Sequence, residues 1–196
     1  MNGTLTMRRW LATISLVILG GGMSACTGTP DISWNEEVQL SDGRVIVIER
    51  EAIYVGGGDE WASNRSLGKI DEYRIRFVSP DGSGKTVEWR STKKSPQTYP
   101  ELPLVFDLPS GQPTVFTLVA ISSTDWVYSK YIYQQGAWIE EPLPEKFGQQ
   151  ASNLLFASKE GLPELLTIAE KNKRNSSNGY RQVFKQIGPT RKVLVW

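Results

Sequence analysis

Short runs of β-branched and aromatic residues, separated by turns rich in glycine and proline, dominate residues 34–139 of the chain. Apolar and polar residues alternate within these runs, which places the apolar side chains on one face of a strand. Two turns have hairpin chemistry, namely Ser41-Asp42-Gly43 and the PDGSG sequence of residues 80–84. The pattern predicts a mainly β fold of about seven or eight antiparallel strands, arranged as a sandwich or a partly open barrel.

Individual strands are predicted from the same alternation. They cover residues 38–40, 44–50, 73–79, 85–91, 102–108, 114–122, 126–134 and 137–139. The densest group of aromatic residues falls in the last two of these strands: Trp126, Tyr128, Tyr131, Tyr133 and Trp138. Exposed rings could stack on sugar faces, but an aromatic side chain buries about 150–250 Å² and dominates packing. We therefore predict that this group lies in the core or at its edge.

The pattern changes near the C-terminus, where Pro142 and Pro144 interrupt the alternation. Four apolar residues then recur at helical spacing: Leu162, Leu165, Leu166 and Ala169. They predict a helix over about residues 160–174. Residues 192–196 alternate weakly and are compatible with a last strand. We expect one β-rich domain over residues 34–196 with a short helical C-terminal appendage.

The first 25 residues form a separate segment. They contain no acidic residue and place Arg8-Arg9 before an apolar run over residues 10–19. This run is shorter than the roughly 20 residues that a transmembrane helix needs, and its layout is that of a secretory signal. Ser24-Ala25 lies directly before Cys26, the only cysteine of the chain.

Residues 23–26, MSAC, resemble the lipobox of bacterial lipoprotein precursors, with methionine in place of the usual leucine. The resemblance implies that residues 1–25 are a signal peptide that is removed, and that Cys26 becomes the lipidated first residue. An aspartate after the cysteine commonly retains such proteins at the inner membrane. Thr27 at that position implies the outer membrane, with the domain facing the periplasm. Residues 26–33 are then a lipidated tether, and the alternative is a simple secretory signal followed by a free cysteine.

Two stretches of the mature chain are similar to segments of uncharacterised envelope lipoproteins of proteobacteria. They are residues 34–48, WNEEVQLSDGRVIVI, and residues 128–143, YSKYIYQQGAWIEEPL. The resemblance implies a β-rich body and an envelope location. It carries no activity, so it assigns no site residues.

The composition excludes several kinds of site. The chain has one cysteine and no histidine, so it has no Ser/His/Asp triad, no histidine-bound zinc and no CxxC motif. Its 22 basic residues balance 21 acidic ones, which provides no basic surface for nucleic acid. We therefore expect no metal, no cofactor and no nucleic-acid partner.

One long connection, residues 56–72, carries the candidate binding residues. It begins with three glycines, and loops of this length in compact domains are often functional. Four of its residues are predicted to contact a ligand: Asp59, Glu60, Trp61 and Arg65. Its acidic residues are also the candidates for a hydrolase that works with carboxylates alone: Asp59, Glu60, Asp71 and Glu72.

Two hypotheses about function follow. The first is a non-enzymatic envelope lipoprotein, anchored to the membrane through Cys26. Its β-rich domain would be a binding or structural accessory that contacts an envelope protein or a glycan. The second is a carboxylate-based hydrolase of cell-wall or surface glycan. The sequence carries no catalytic signature, which favours the first hypothesis. Under that hypothesis we predict no catalytic residues.

Overall fold

The computed structural model describes residues 31–56, 68–122, 125–143, 147–177 and 184–188. Within these ranges the chain forms strands β1 (Ile32–Gln39), β2 (Val45–Val55), β3 (Lys69–Val78), β4 (Thr86–Arg90), β5 (Leu102–Asp107), β6 (Thr114–Ala120), β7 (Trp126–Gln134), β8 (Ala137–Glu141), β9 (Gln150–Ala151), β10 (Leu165–Leu166) and β11 (Gln186–Ile187). The helix α1 is Ile168–Ser176, and a 3₁₀ turn at Pro109–Gly111 joins β5 to β6.

These strands form two main sheets. The first sheet has the order β10-β1-β2-β3-β4 and the second has the order β5-β6-β7-β8, while β9 and β11 form a small separate pair. All neighbours in the two main sheets are antiparallel except β1 and β10. The predicted mainly β fold with a short C-terminal helix is confirmed, in the form of a sandwich.

The first hairpin forms where the sequence predicts it. β1 and β2 pair along their whole shared length around a turn that contains Gly43. Gly43 has φ +87°, a left-handed conformation that glycine adopts without a steric penalty. β1 begins at Ile32, which pairs with Ala52, so the first two residues of this strand already belong to the sheet. The predicted tether of residues 26–33 is therefore too long at its C-terminal end.

The main core lies between the two sheets. Trp89 of β4 packs against Tyr131 of β7 with ring centroids 5.8 Å apart, and Phe77 of β3 packs against Phe106 of β5 at 4.7 Å. The predicted burial of the aromatic group is confirmed for Tyr128 and Tyr131. The other three members of that group are partly buried at the core edge: Trp126, Tyr133 and Trp138.

β5 and β6 of the second sheet are buried on both faces, whereas β8 at its edge is largely exposed. The outer face of this sheet packs against Phe147, Phe156 and Phe184 from later parts of the chain. The ring centroids of Phe116 and Phe147 are 5.4 Å apart. As a result, β6 is buried along almost its whole length, and its sequence TVFTLVA contains no solvent-facing polar side.

The outer face of the first sheet carries a network of ion pairs. Arg76 binds the carboxylates of Glu49, Glu51 and Glu88 at 2.6, 2.5 and 2.6 Å. Its neighbours in β3, Ile75 and Phe77, point into the core, as the alternation predicts. Surface ion pairs of this kind contribute about 0–1 kcal/mol each, so burial on the inner face is the main source of stability.

The C-terminal helix starts later than predicted. It covers Ile168–Ser176, and the predicted start near residue 160 is wrong because β10 (Leu165–Leu166) intervenes. β10 pairs in parallel with β1 and so covers a sheet edge whose backbone groups would otherwise be unpaired. Thr167 then caps the helix by accepting a hydrogen bond from the backbone N–H of Glu170 at 3.3 Å.

Some predictions fall on residues that the structure does not describe. These are the signal peptide over residues 1–25, the lipidation of Cys26 and the last strand over residues 192–196. Among the described residues, no helix has both the length and the apolar character that crossing a bilayer requires.

Candidate functional site

The predicted ligand-contacting residues belong to the connection between β2 and β3. Asp59, Glu60, Trp61 and Arg65 lie outside the described residues, so their contacts stay a prediction. The described residue that follows this gap, Gly68, lines a groove of about 660 Å³. That volume is within the roughly 300–1,000 Å³ typical of small-molecule sites.

The groove lies at one end of the sandwich. Its walls come from the end of β2, the starts of β3 and β5, the end of β6 and the segment that joins β4 to β5. Four aromatic side chains line it: Tyr54, Tyr73, Tyr99 and Phe184. Aliphatic side chains from both sheets complete the walls, among them Ile70, Leu102 and Leu118. The groove is therefore apolar and is shared by the two sheets.

A β-bulge in β3 shapes one wall of the groove. The pairing of β2 with β3 skips Asp71, so that Tyr54 faces Ile70. Ile70 and Tyr73 both line the groove, although residues three apart in a regular strand point to opposite faces. Asp71 forms an ion pair with Lys94 instead. The extra residue thus removes a carboxylate from the groove wall and adds an isoleucine.

Lys69 brings a positive charge to the groove. Its ammonium donates hydrogen bonds to the Gln97 carbonyl at 2.7 Å and to Thr98 Oγ1, and it lies 4.5 Å from the centroid of the Tyr99 ring. Thr98 has φ +64°, a left-handed conformation that costs a residue with a Cβ atom about 1–2 kcal/mol. The contacts from Lys69 help to hold this turn, and with it the exposed Tyr99 ring, beside the groove.

The structure does not combine Asp71 and Glu72 into a catalytic pair. Asp71 pairs with Lys94 and Glu72 pairs with Arg74. Neither carboxylate lines the groove. Their proposed companions in a hydrolase, at positions 59 and 60, lie outside the described residues. The hydrolase hypothesis therefore stays a prediction, and the described acids lend it no support.

A second polar group, which the sequence patterns do not reveal, lies where α1 meets the first sheet. Glu36 accepts hydrogen bonds from Trp34 Nε1 at 2.9 Å and from Arg50 Nη1 at 3.1 Å. The Lys171 ammonium is 4.0 Å from the same carboxylate. Glu36, Arg50 and Lys171 are at most 2% exposed and form a buried charge cluster.

The buried charge cluster joins α1 to the first sheet. Lys171 donates a hydrogen bond to the Glu37 carbonyl, and burial lowers its pKa while the nearby Glu36 opposes that shift. Lys171 also lines a smaller cleft of about 400 Å³. Asn153 beside it donates both amide hydrogens to backbone carbonyls, those of Gln39 and Phe106. Because the polar groups of this cleft are already hydrogen-bonded to backbone carbonyls of the protein, the groove is the better candidate for a ligand site.

Glu101 is another buried carboxylate with a structural role. It accepts hydrogen bonds from the Thr92 backbone N–H and Thr117 Oγ1, each at 2.8 Å, and from Tyr131 Oη at 2.9 Å. Burial, together with the neighbouring Glu101 carboxylate, raises the pKa of the Tyr131 phenol. Glu101 therefore connects the segment after β4 to the second sheet.

Comparison with known proteins adds no family. A scan against protein-family models finds no match, and searches of the curated proteins and of the solved structures find none either. An account of function therefore depends on the geometry of the groove and on the sequence pattern at Cys26.

Proposed function

We propose that the protein is a non-enzymatic envelope lipoprotein whose β-sandwich binds another envelope component in the groove. The groove carries this proposal, because apolar walls from both sheets and one lysine ammonium converge in a concavity of ligand size. The proposed anchor is a lipid on Cys26. The proposed location is the outer membrane, with the sandwich facing the periplasm.

The position of Asp31 supports a groove that lies close to this anchor. Asp31 Oδ1 accepts a hydrogen bond from the backbone N–H of Tyr54 at 2.9 Å, and Tyr54 lines the groove. Asp31 follows Cys26 by five residues. Five residues span at most about 18 Å, so a lipid on Cys26 would keep the groove beside the membrane that holds it.

Cys26→Ser is expected to move the protein from the membrane fraction to the soluble fraction. Each buried methylene of an acyl chain contributes about 0.8 kcal/mol, and attachment is stable only with more than one anchoring signal. Fractionation followed by immunoblotting measures the change, with Thr29→Ser as the matched control in the same segment. A Cys26→Ser protein that stays in the membrane fraction, together with wild-type processing that globomycin does not inhibit, would contradict the proposed anchor.

Binding in the groove is tested in cells with a photo-crosslinking amino acid. Tyr99 is 58% exposed beside the groove, so p-benzoylphenylalanine at this position is expected to capture the bound component. The matched control is Val78, which is 66% exposed at the opposite end of β3 from Lys69. Mass spectrometry identifies the products. The binding role is wrong if position 99 yields no product, or only those that position 78 also yields.

A further inference from the structure

We propose that the groove binds the acyl chain of a long-chain fatty acid drawn from the membrane that anchors the protein. This inference rests on the proposed function, since it names a ligand for the same groove. Three properties of the described residues carry it: the apolar depth of the groove, the charge of Lys69 and the position of the groove near Cys26.

The inner part of the groove is apolar and continuous with the core. Tyr73 is a member of the main core, and Leu102 packs against that core from the second sheet. Leu118, which is 4% exposed, contributes to the wall on the side of the second sheet. A ligand that enters between these walls exchanges water for apolar surface, which favours methylene groups and disfavours hydroxyl groups that would lose their hydrogen bonds. A hydrocarbon chain therefore fits this lining better than a sugar does.

Lys69 provides a charge that matches a carboxylate head group. Two of its three N–H bonds are directed at Gln97 and Thr98, and the described residues offer the third N–H no further hydrogen-bond acceptor. Among the described residues, no carboxylate lies within ion-pair distance of this ammonium, and the acid closest in sequence, Asp71, pairs with Lys94. A carboxylate beside Lys69 would gain a charge-assisted hydrogen bond while its chain lies along the apolar walls.

The short distance to the anchor places the groove near a source of fatty acid. Cys26 precedes Asp31 by five residues, and Asp31 is hydrogen-bonded to a residue of the groove. A lipid on Cys26 would therefore hold Asp31, which is hydrogen-bonded to Tyr54 of the groove wall, within about 18 Å of the membrane surface. Tethering of this kind raises the effective concentration of membrane-borne ligands at the site.

The experiment uses the full-length wild-type protein in vesicles of phosphatidylethanolamine and phosphatidylglycerol that contain a diazirine derivative of palmitate. Irradiation, proteolysis and mass spectrometry locate the label, which is expected on peptides that carry Tyr99, Leu102 and Leu118. Ala120→Trp, which fills the groove from its wall, is expected to reduce this labelling by about tenfold, since it excludes several buried methylenes. The control Val47→Trp, on the exposed outer face of β2, is expected to leave labelling unchanged.

Lys69→Gln tests the contact with the head group separately from the contact with the acyl chain. It is expected to reduce labelling by the palmitate probe by about tenfold, the usual effect of losing a hydrogen bond to a charged group. Labelling by the corresponding fatty alcohol probe, which has no charge, is expected to stay at the wild-type level. Circular dichroism of each variant checks that the sandwich is folded.

Several outcomes would overturn the inference. Labelling that is equal in the groove and on the outer face of β2, or that Ala120→Trp leaves unchanged, would exclude the fatty acid as the ligand. An equal loss of both probes in Lys69→Gln would remove the head-group assignment. If position 99 forms crosslinks in cells but the protein takes up no palmitate, the proposed binding role stands and the fatty acid is excluded as its ligand. If the Cys26→Ser protein is labelled as strongly as the wild type, the part of the inference that draws the fatty acid from the anchoring membrane is wrong.

Discussion

Glu36→Ala is expected to destabilise the protein by about 3–5 kcal/mol, the usual cost of removing one partner from a buried ion pair. The substitution leaves the Arg50 guanidinium and the Lys171 ammonium buried without their counter-charge. Among the described residues, Arg50 Nε and Nη2 have no hydrogen-bond partner, so the contact of Nη1 with Glu36 is important for this side chain. Trp34 Nε1 loses its acceptor as well. Urea unfolding followed by circular dichroism measures the loss.

Glu49→Ala is the matched control for this prediction. Its side chain lies on the outer face of the same sheet, is 45% exposed and pairs with Arg76, so its loss is expected to cost no more than about 1 kcal/mol. The double variant Glu36→Ala/Lys171→Met is expected to lose less than the sum of the single variants, because Arg50 disfavours the charged form of Lys171. A cost of Glu36→Ala no larger than that of Glu49→Ala, or additive losses in the double variant, would contradict a role of the buried charge cluster in stability.

The position of Glu36 shows how far alternation predicts this fold. The predicted first strand covers residues 38–40, and four alternate residues in and before it are all buried: Trp34, Glu36, Val38 and Leu40. Because a strand has a period of two residues, Glu36 falls on the inner face once the strand extends back beyond the predicted residue 38. The same pattern does not predict that Lys171, in a helix near the C-terminus, supplies one of the neighbouring cations. That contact depends on the packing of the helix against the sheet.

The helix boundary could not be predicted from local sequence. The stretch LPELL at residues 162–166 has helical spacing, and nothing within it indicates a strand. β1, far away in sequence, presents an open edge, and pairing with that edge determines that Leu165 and Leu166 are extended. Local propensity is a weak preference, and a tertiary contact of this kind overrides it.

The sequence predicts the candidate site only in part. The connection over residues 56–72 is conspicuous for its length and its glycines, and Gly68 within it lines the groove. The other walls include Tyr99, Leu118 and Phe184, which come from separate parts of the chain and follow no common motif. Only Leu118 belongs to a main sheet, so their meeting depends on how the connection from β4 to β5 and a segment near the C-terminus pack beside β6, which a pattern of local alternation cannot specify.

Trp89→Ala is expected to cost about 3–5 kcal/mol, the range found when a buried aromatic side chain is truncated to alanine. Trp89 is 1% exposed and is the largest fully buried side chain among the described residues. It belongs to β4, the edge strand of the first sheet, and its ring packs 5.8 Å from that of Tyr131 in the second sheet. Truncation therefore removes a contact between the sheets and leaves a cavity that the surrounding strands can close only partially.

Urea and thermal unfolding of Trp89→Ala measure this contribution against two other variants. Val47→Ala changes a side chain that is 54% exposed on the outer face of β2, and it is expected to alter stability by no more than about 0.5 kcal/mol. Trp89→Phe keeps a ring between the sheets and is expected to lose less than Trp89→Ala. If Trp89→Ala unfolded at the same urea concentration as Val47→Ala, the contact between the sheets could not be the main source of stability. The network of ion pairs on the outer face would then have to contribute far more to the free energy of unfolding than surface ion pairs usually do.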